Sequence, residues 1–531
     1  MSNNTGSTLT LSYTFPETNT KTVTDISIKT QPAKLTYTHG DTLDLTGLVI
    51  TLTHDDTTTE DIIAADFTAK NVTATPAQGN DLVYSMHNGQ SVKITYGNLT
   101  KNTNNLTVNR ATPIAVDFNI SGIGSFYYDG SPKTVTVTPK EGKSNGEVKV
   151  YYEGTGSTTY TKSITAPSAI GTYTVTFDVA EAANFNAASG LLDEILTISL
   201  LTFSNIAEMG TYLQGNSINT ATTPYYINLN ISDLGGTYDT SGSVGYTLRA
   251  NNTKYVYLYF SGSTITSIGS SAFAGCTSLT SITIPDSVTS IGEWAFEYCT
   301  NLTAINVDSN NINYSSDQGV LYNKNKTILI NYPTKKIGIF FTIPDSVTNI
   351  MGYAFRGCAG LTSITIPNSV TTIMVGAFIG CTGLTSVTIG NGVTSIGDSA
   401  FSGCTGLTSI TIGNGVTSIM DYAFRGCAGL TSITIPDSVT YIYEDAFREC
   451  TGLTSITIPD SVKGIYGRAF SACTSLASVT FEGTITSDYF ASDVFGYSNY
   501  GFIGDLREKY LTGGIGTYTR VSGGTVWTKQ P

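Results

Sequence analysis

The chain has 531 residues, 27 of them Lys or Arg and 40 Asp or Glu, so 13% is charged where a soluble protein usually carries about 25%. The deficit is filled by 86 Thr and 54 Gly with much Ser and Asn, while a 40% hydrophobic share is enough for a large core and excludes disorder as the overall state. A net charge of -13 and a pI near 4.7 exclude nucleic acid and anionic membrane as partners, because both select basic surfaces.

Residues 1–20 form a polar run with neither a basic segment nor an apolar one, so no secretory signal is present in the sequence as given. Either the protein is cytosolic, or the run is a tether in a mature form whose signal or lipid anchor has been removed; the architecture favours the second. From 21 to 110, short β-rich runs such as Leu48-Val-Ile-Thr-Leu52 and Ser91-Val-Lys-Ile-Thr-Tyr96 alternate with Gly, Asn and Asp turns, which predicts a small β-sandwich. A second sandwich is expected over 111–199, through Thr134–Thr138, Glu147–Tyr152, Gly171–Phe177 and Ile195–Ile198. His39, His54 and His87 are the only histidines, so everything beyond this region lacks the usual neutral-pH proton carrier. Residues 200–262 lack the frame that follows and end in the strand-like Tyr255-Val-Tyr-Leu-Tyr-Phe260, which assigns them as an N-terminal cap.

From 263 to 485 an internal repeat takes over. All eight cysteines, Cys276, Cys299, Cys358, Cys381, Cys404, Cys427, Cys450 and Cys473, occupy one repeat position, 23 residues apart except for one gap of 59. In Leu430-Thr-Ser-Ile-Thr-Ile435 the isoleucines alternate with hydroxyl residues, which predicts a short parallel strand with Ile inward. Pro285, Pro367, Pro436 and Pro459, or Gly390 and Gly413, end that strand. Val439-x-x-Ile442-x-x-x-Ala446-Phe447-x-x-Cys450 spaces its apolar positions by three and four, which fits one or two helical turns. One such unit cannot cover its own apolar side, so stability must come from stacking. The long gap holds an insertion, 307–342, in which Val320–Tyr322 and Thr327–Ile330 flank a turn-like Asn323-Lys-Asn-Lys326 and predict a hairpin. Residues 486–531 decay from the pattern and form the C-terminal cap, with a short helix expected at Asp505–Tyr510.

The unit Leu-Thr-Ser-Ile-Thr-Ile-Pro-Asp-Ser-Val-Thr-Ser-Ile-Gly-x-x-Ala-Phe-x-x-Cys resembles the BspA-like, treponemal-type leucine-rich repeat of bacterial surface proteins, and the first sandwich is similar to bacterial Ig-like domains through Lys34-Leu-Thr-Tyr37-x-x-Gly40-Asp. The resulting fold class is mainly β with short helices: two Ig-like β-sandwiches, then a leucine-rich-repeat solenoid of 23-residue units with a parallel sheet on its concave face. The resemblance implies a cell-surface or extracellular adhesin whose partner is a host-matrix or bacterial surface protein, with glycan as a further ligand class. The alternative is a structural envelope or biofilm component. No metal, cofactor or catalytic motif is expected, and no apolar run of about 18 residues is present to span a membrane.

The buried repeat position makes the cysteines structural thiols. Outward strand positions are uniform Ser and Thr, which discriminate poorly between partners. Variation concentrates beside the Ala-Phe pair, where Trp294, Tyr298, Tyr353, Arg356, Tyr422, Arg425 and Arg448 supply the residue types that dominate interfaces. The hairpin tyrosines Tyr314 and Tyr322 form the rival site.

Overall fold

A computed structural model describes residues 20–496, 505–521 and 524–531; the tether expected at 1–20 lies, but for its last residue, outside the described residues. The chain divides into two compact units, one reaching to Ser199 and one from Leu200 to Pro531, with Tyr127–Asp129 counted in the second.

The first unit is β-rich and mainly antiparallel, with one parallel pair, Thr36–Thr38 against Thr107–Asn109, consistent with Ig-like domains. Val49–His54 pairs with Val23–Thr30 on one side and Thr59–Ile63 on the other, and Ser91–Tyr96 lies between Val72–Thr75 and Leu99–Asn105. Alternation drives the burial: Ile50, Val92 and Ile94 are wholly buried while their strand neighbours face out. A later four-stranded sheet runs in the order Gly124–Tyr127, Ala188–Ser199, Gly171–Val179, Val148–Gly154. Its inward Tyr173, Val175, Phe177 and Val179 follow the same period of two. Arg110 stacks on Tyr84 at 4.9 Å and pairs with Glu181, joining the two stretches.

The second unit is a β-solenoid of about 12 turns of about 23 residues, starting at residue 201. Leu201–Phe203, Tyr225–Leu229, Val256–Tyr259, Leu279–Ile284 and Ala304–Val307 form one parallel sheet. The region read from sequence as a frameless cap therefore already contributes strands to the stack. Two true helices, Ile206–Gly215 and Val244–Ala250, supply its outer wall, capped by Asn205 and Ser243. Phe340–Thr342, Ser363–Ile366, Ser386–Ile389 and Ser409–Thr411 continue the parallel arrangement, as do Ser455–Ile458 and Ser478–Phe481. The C-terminal edge is covered by Gly516–Thr519 and Thr528–Lys529, paired antiparallel. The short helix there is Leu506–Gly513.

Within the repeat the expected helical turns do not form. Tyr441–Ile442 and its equivalents make a second column of two-residue parallel strands, and the Ala-Phe segment beyond is a run of turns. The apolar spacing is that of a helix, but alternate backbone groups are drawn sideways to the neighbouring coil. In Tyr422–Cys427, the N–H groups of Tyr422, Phe424 and Gly426 donate to the carbonyls of Glu444, Ala446 and Arg448 one coil on, while those of Ala423, Arg425 and Cys427 close turns within their own coil. Alternation of this kind needs left-handed residues: φ is +57° at Tyr422 and +70° at Gly426, with equivalents at Ser271, Trp294, Tyr353, Gly376, Ser399, Asp445 and Arg468.

Three ladders hold the coils. Phe355, Phe378, Phe401, Phe424, Phe447 and Phe470 stack with ring centroids 4.7–5.5 Å apart. Each cysteine is free and buried; in Cys381, Cys404, Cys427, Cys450 and Cys473 the thiol donates to the carbonyl of the Phe one coil back at 3.0–3.2 Å. Thr385, Thr408, Thr394 and Thr417 donate their hydroxyls to the carbonyl of the matching Thr of the preceding coil. These threonine ladders explain the charge-poor composition: a hydroxyl can repeat every coil, whereas like charges about 4.8 Å apart repel.

Candidate functional site

Among the described residues between Cys276 and Cys473 the 23-residue frame is interrupted once, and the interruption makes the site. The coil after Cys299 keeps its inner strand Ala304–Val307 but replaces the remainder with the insertion. Tyr314–Asp317, Val320–Asn323 and Ile328–Asn331 form an antiparallel meander, and its last strand returns to the parallel column through Asn349–Ile350. The expected hairpin is present within it, extended by a third strand. Tyr332 takes the place of the ladder Phe: it stacks on Phe355 at 4.9 Å and its carbonyl faces the Cys358 thiol at 3.7 Å. Only Ile330 and Asn331 precede it where the next coil has Met351–Ala354, so the outer wall is cut back at this coil although Tyr332 keeps the central rung to Ala354.

An apolar cleft of about 230 Å³ occupies that position. One wall is the arm Gly292–Glu297; the other is Met351–Tyr353 with Met374 and Val375; Ile330 and Asn331 form the floor. Trp294 is 49% exposed, and its ring packs edge-on against Tyr353 with centroids 6.5 Å apart. Arg356 reaches across from the far wall, with its Nη1 2.6 Å from Glu297 Oε1, an Nη2 bond to the Tyr298 hydroxyl, and its guanidinium over the Tyr298 and Tyr353 rings at 4.3 and 5.3 Å. An aromatic-lined, partly apolar recess with the carboxylates of Glu293 and Glu297 in its wall and a fixed cation at its rim is built to bind.

Four of the residues picked from sequence, Trp294, Tyr298, Tyr353 and Arg356, converge here. The other three lie further along the stack. Tyr422 carries Arg425 over its ring at 5.8 Å, Arg425 pairs with Glu449 at 3.3 Å, and Arg448 pairs with Glu449 at 3.2 Å and with Asp445 at 3.6 Å. Asp445 is fully buried, also contacts Arg468 at 2.8 Å, and burial pushes its carboxyl above the usual range despite both arginines. These arginines are engaged in holding coils together. The rival site needs correction: Tyr322 is 1% exposed in the core, where no partner can reach it, and the half-buried Tyr314 accepts the Ile291 N–H at 2.9 Å. Met351, Met374 and Val375 were missed from sequence because single apolar residues beside a strand carry no signal until the wall across from them is known. Among the described residues no group of three or more His, Cys, Asp or Glu is placed to hold a metal ion, and no helix is long and apolar enough to cross a membrane.

Comparison with known proteins adds family context. Residues 250–340, 339–450 and 371–500 match the family described as BspA type leucine rich repeat region, in six copies. A leucine-rich repeat protein from Eubacterium ventriosum is similar at 27% identity over 55% of this chain and 87% of its own, with a TM-score of 0.41. A leucine-rich cell surface protein from Faecalibacterium prausnitzii is 30% identical over 49% of this chain and 63% of its own, TM-score 0.35. The pneumococcal vaccine antigen PcpA is 16% identical over 67% of this chain and 88% of its own, TM-score 0.36. No curated protein matches the chain.

Proposed function

Since residues 250–500 of the chain are a BspA-type leucine-rich repeat region, we propose that the protein is a non-enzymatic adhesin of the bacterial cell surface, which holds a host-matrix or bacterial surface protein in the cleft at the interrupted coil. Convergence of Trp294, Tyr298, Tyr353 and Arg356 on an apolar recess carries this reading, because a central aromatic and Arg cluster beside apolar walls is the anatomy of an interaction hot spot. The surrounding Ser and Thr columns supply a polar, uncharged surround. Leucine-rich repeat proteins generally mediate protein interactions, and the interrupted coil is where the surface of the regular array differs from its neighbours.

The test is a panel of matrix proteins, bacterial surface proteins and glycans presented to the intact chain and to Trp294→Ala/Tyr353→Ala. Loss of at least about 2 kcal/mol of affinity for whichever protein binds is expected of hot-spot residues. Binding that survives the double substitution unchanged would move the site elsewhere, and binding confined to glycans would replace the adhesin reading with a carbohydrate one.

A further inference from the structure

The missing arm leaves more than an apolar recess. In the arms at Ser271 and from Tyr353 to Glu449 three alternate N–H groups donate to three carbonyls of the next coil: Ser271, Phe273 and Gly275 to Glu293, Ala295 and Glu297, and Tyr353, Phe355 and Gly357 to Val375, Ala377 and Ile379. The arm facing the cleft breaks this rule. Among the described residues the N–H groups of Trp294, Phe296 and Tyr298 have no acceptor. On the opposite wall Ala354 accepts from Tyr332 at 2.8 Å, while the carbonyls of Gly352 and Arg356 have no donor among the described residues. The Tyr332 backbone takes the middle of the far wall, so three donors face the cleft on one side and the Gly352 carbonyl faces it on the other, with Arg356 beyond Tyr332. Unpaired backbone edges of this kind are templates for another chain.

We propose that the cleft binds an extended segment of the partner protein along its open wall, with main-chain hydrogen bonds to Trp294, Phe296 and Tyr298 on one side and to Gly352 on the other; this rests on the cleft being the binding site. Side-chain chemistry narrows the occupant. The walls Met351, Met374 and Val375 with the Trp294 ring take an aliphatic or aromatic side chain. Glu293, whose carboxylate has no cationic partner among the described residues, lines the same cleft and favours an adjacent Lys or Arg. The partner segment is thus extended, apolar and basic. The Trp294–Tyr353 edge contact and the Arg356 bridge to Glu297 and Tyr298 both span the slot and must part for it to enter.

Trp294 is one of two tryptophans and the exposed one, since Trp527 is 1% exposed, so its fluorescence reports the cleft. The probe is a synthetic 12-residue peptide of the arm sequence 371–382 with Lys in place of the residue before its Ala-Phe pair, applied to the intact chain. Expected are a Trp294 spectral shift, slowed hydrogen exchange at the amides of 294, 296 and 298, and at least about tenfold weaker binding of the same peptide N-methylated at alternate residues. Glu293→Gln should weaken the unmethylated peptide several-fold with the amides still protected. Equal binding of the methylated peptide, or binding that leaves the three amides unprotected, would overturn the proposal. A panel partner that needs Trp294 but leaves the amides exchanging freely overturns it while the cleft stands, and protection appearing with protein concentration alone would make the occupant a second copy.

Discussion

The regular coils from Leu361 to Cys473 and the interrupted coil between Leu302 and Cys358 share one interior and differ on the outside. Both stack an aromatic ring on the next coil and both point a carbonyl at the following cysteine, so Tyr332 stands in for Phe toward Phe355, while among the described residues no ring contact joins it to Phe296. What the interrupted coil gives up is its arm, the one part of the repeat that touches solvent and neighbour together. The comparison teaches that in this solenoid the inner ladder carries stability and the outer arm carries variation, so a binding feature can be made by deletion.

The largest effect should come from the thiols. The neighbouring thiol and then burial hold Cys381 and Cys404 well above the ordinary range, burial does so for Cys427 and Cys450, and it pushes Cys473 up to about 12. Below the unfolded value of about 8.5 the thiol is neutral in both states and pH does not matter; above it the unfolded chain loses protons that the folded one keeps. Stability should therefore fall with rising pH, by at most about 1.4 kcal/mol per thiol per pH unit, until the folded thiols ionise. Thermal melts from pH 8 to about pH 10.5 check this, and replacing the five by Val should flatten the slope. Failure of the melting temperature to drop above about pH 9 would mean the ladder opens to solvent.

Next comes the ring stack. Phe401→Ala, in the middle of the regular coils, should cost about 3–5 kcal/mol in chemical denaturation, because both flanking rings lose a face. Tyr332→Phe should cost under about 1 kcal/mol, since the ring that the ladder needs remains. Similar losses at the two positions would break the claim that the interrupted coil keeps a regular interior. Cys404→Ala should follow at about 1–2 kcal/mol, because the Phe378 carbonyl loses its 3.2 Å thiol donor, and Cys358→Ala should cost less, its contact to Tyr332 being 3.7 Å.

How much of this was readable in the residues follows the same division. Period, inward Ile, buried Cys position and parallel stacking are properties of one coil repeated, and every unit restates them, so Leu430–Cys450 alone defines the frame. The turns were misread as helix because Val439, Ile442, Ala446 and Phe447 repeat at helical spacing, while the backbone rungs that deny them a helix involve Glu444 and Arg448 meeting a different coil. Trp294, Tyr298, Tyr353 and Arg356 were identified by type, yet their convergence depends on an arm that is absent, and nothing in the residues flanking 307–342 states which wall an insertion will leave open. Tyr322 was misplaced because alternation within a short strand does not tell which face meets the core.

The smallest effect tests the division most directly. Trp294 occupies a left-handed position, φ +58°, that Gly fills at Gly376 in a regular coil at the same φ. A side chain held there costs of order 1 kcal/mol relative to Gly, and a half-exposed Trp outside the ring stack returns little of it by burial. Trp294→Gly should therefore leave the fold unchanged or stabilise it by up to about 1 kcal/mol, while removing the ring that spans the cleft to Tyr353. Denaturation midpoint and partner affinity measured on the one variant separate the two roles. A stability gain with lost binding means that the strain is retained for the partner, whereas a stability loss would make Trp294 a brace across the missing arm and return the cleft to the structural ledger of the coils on either side.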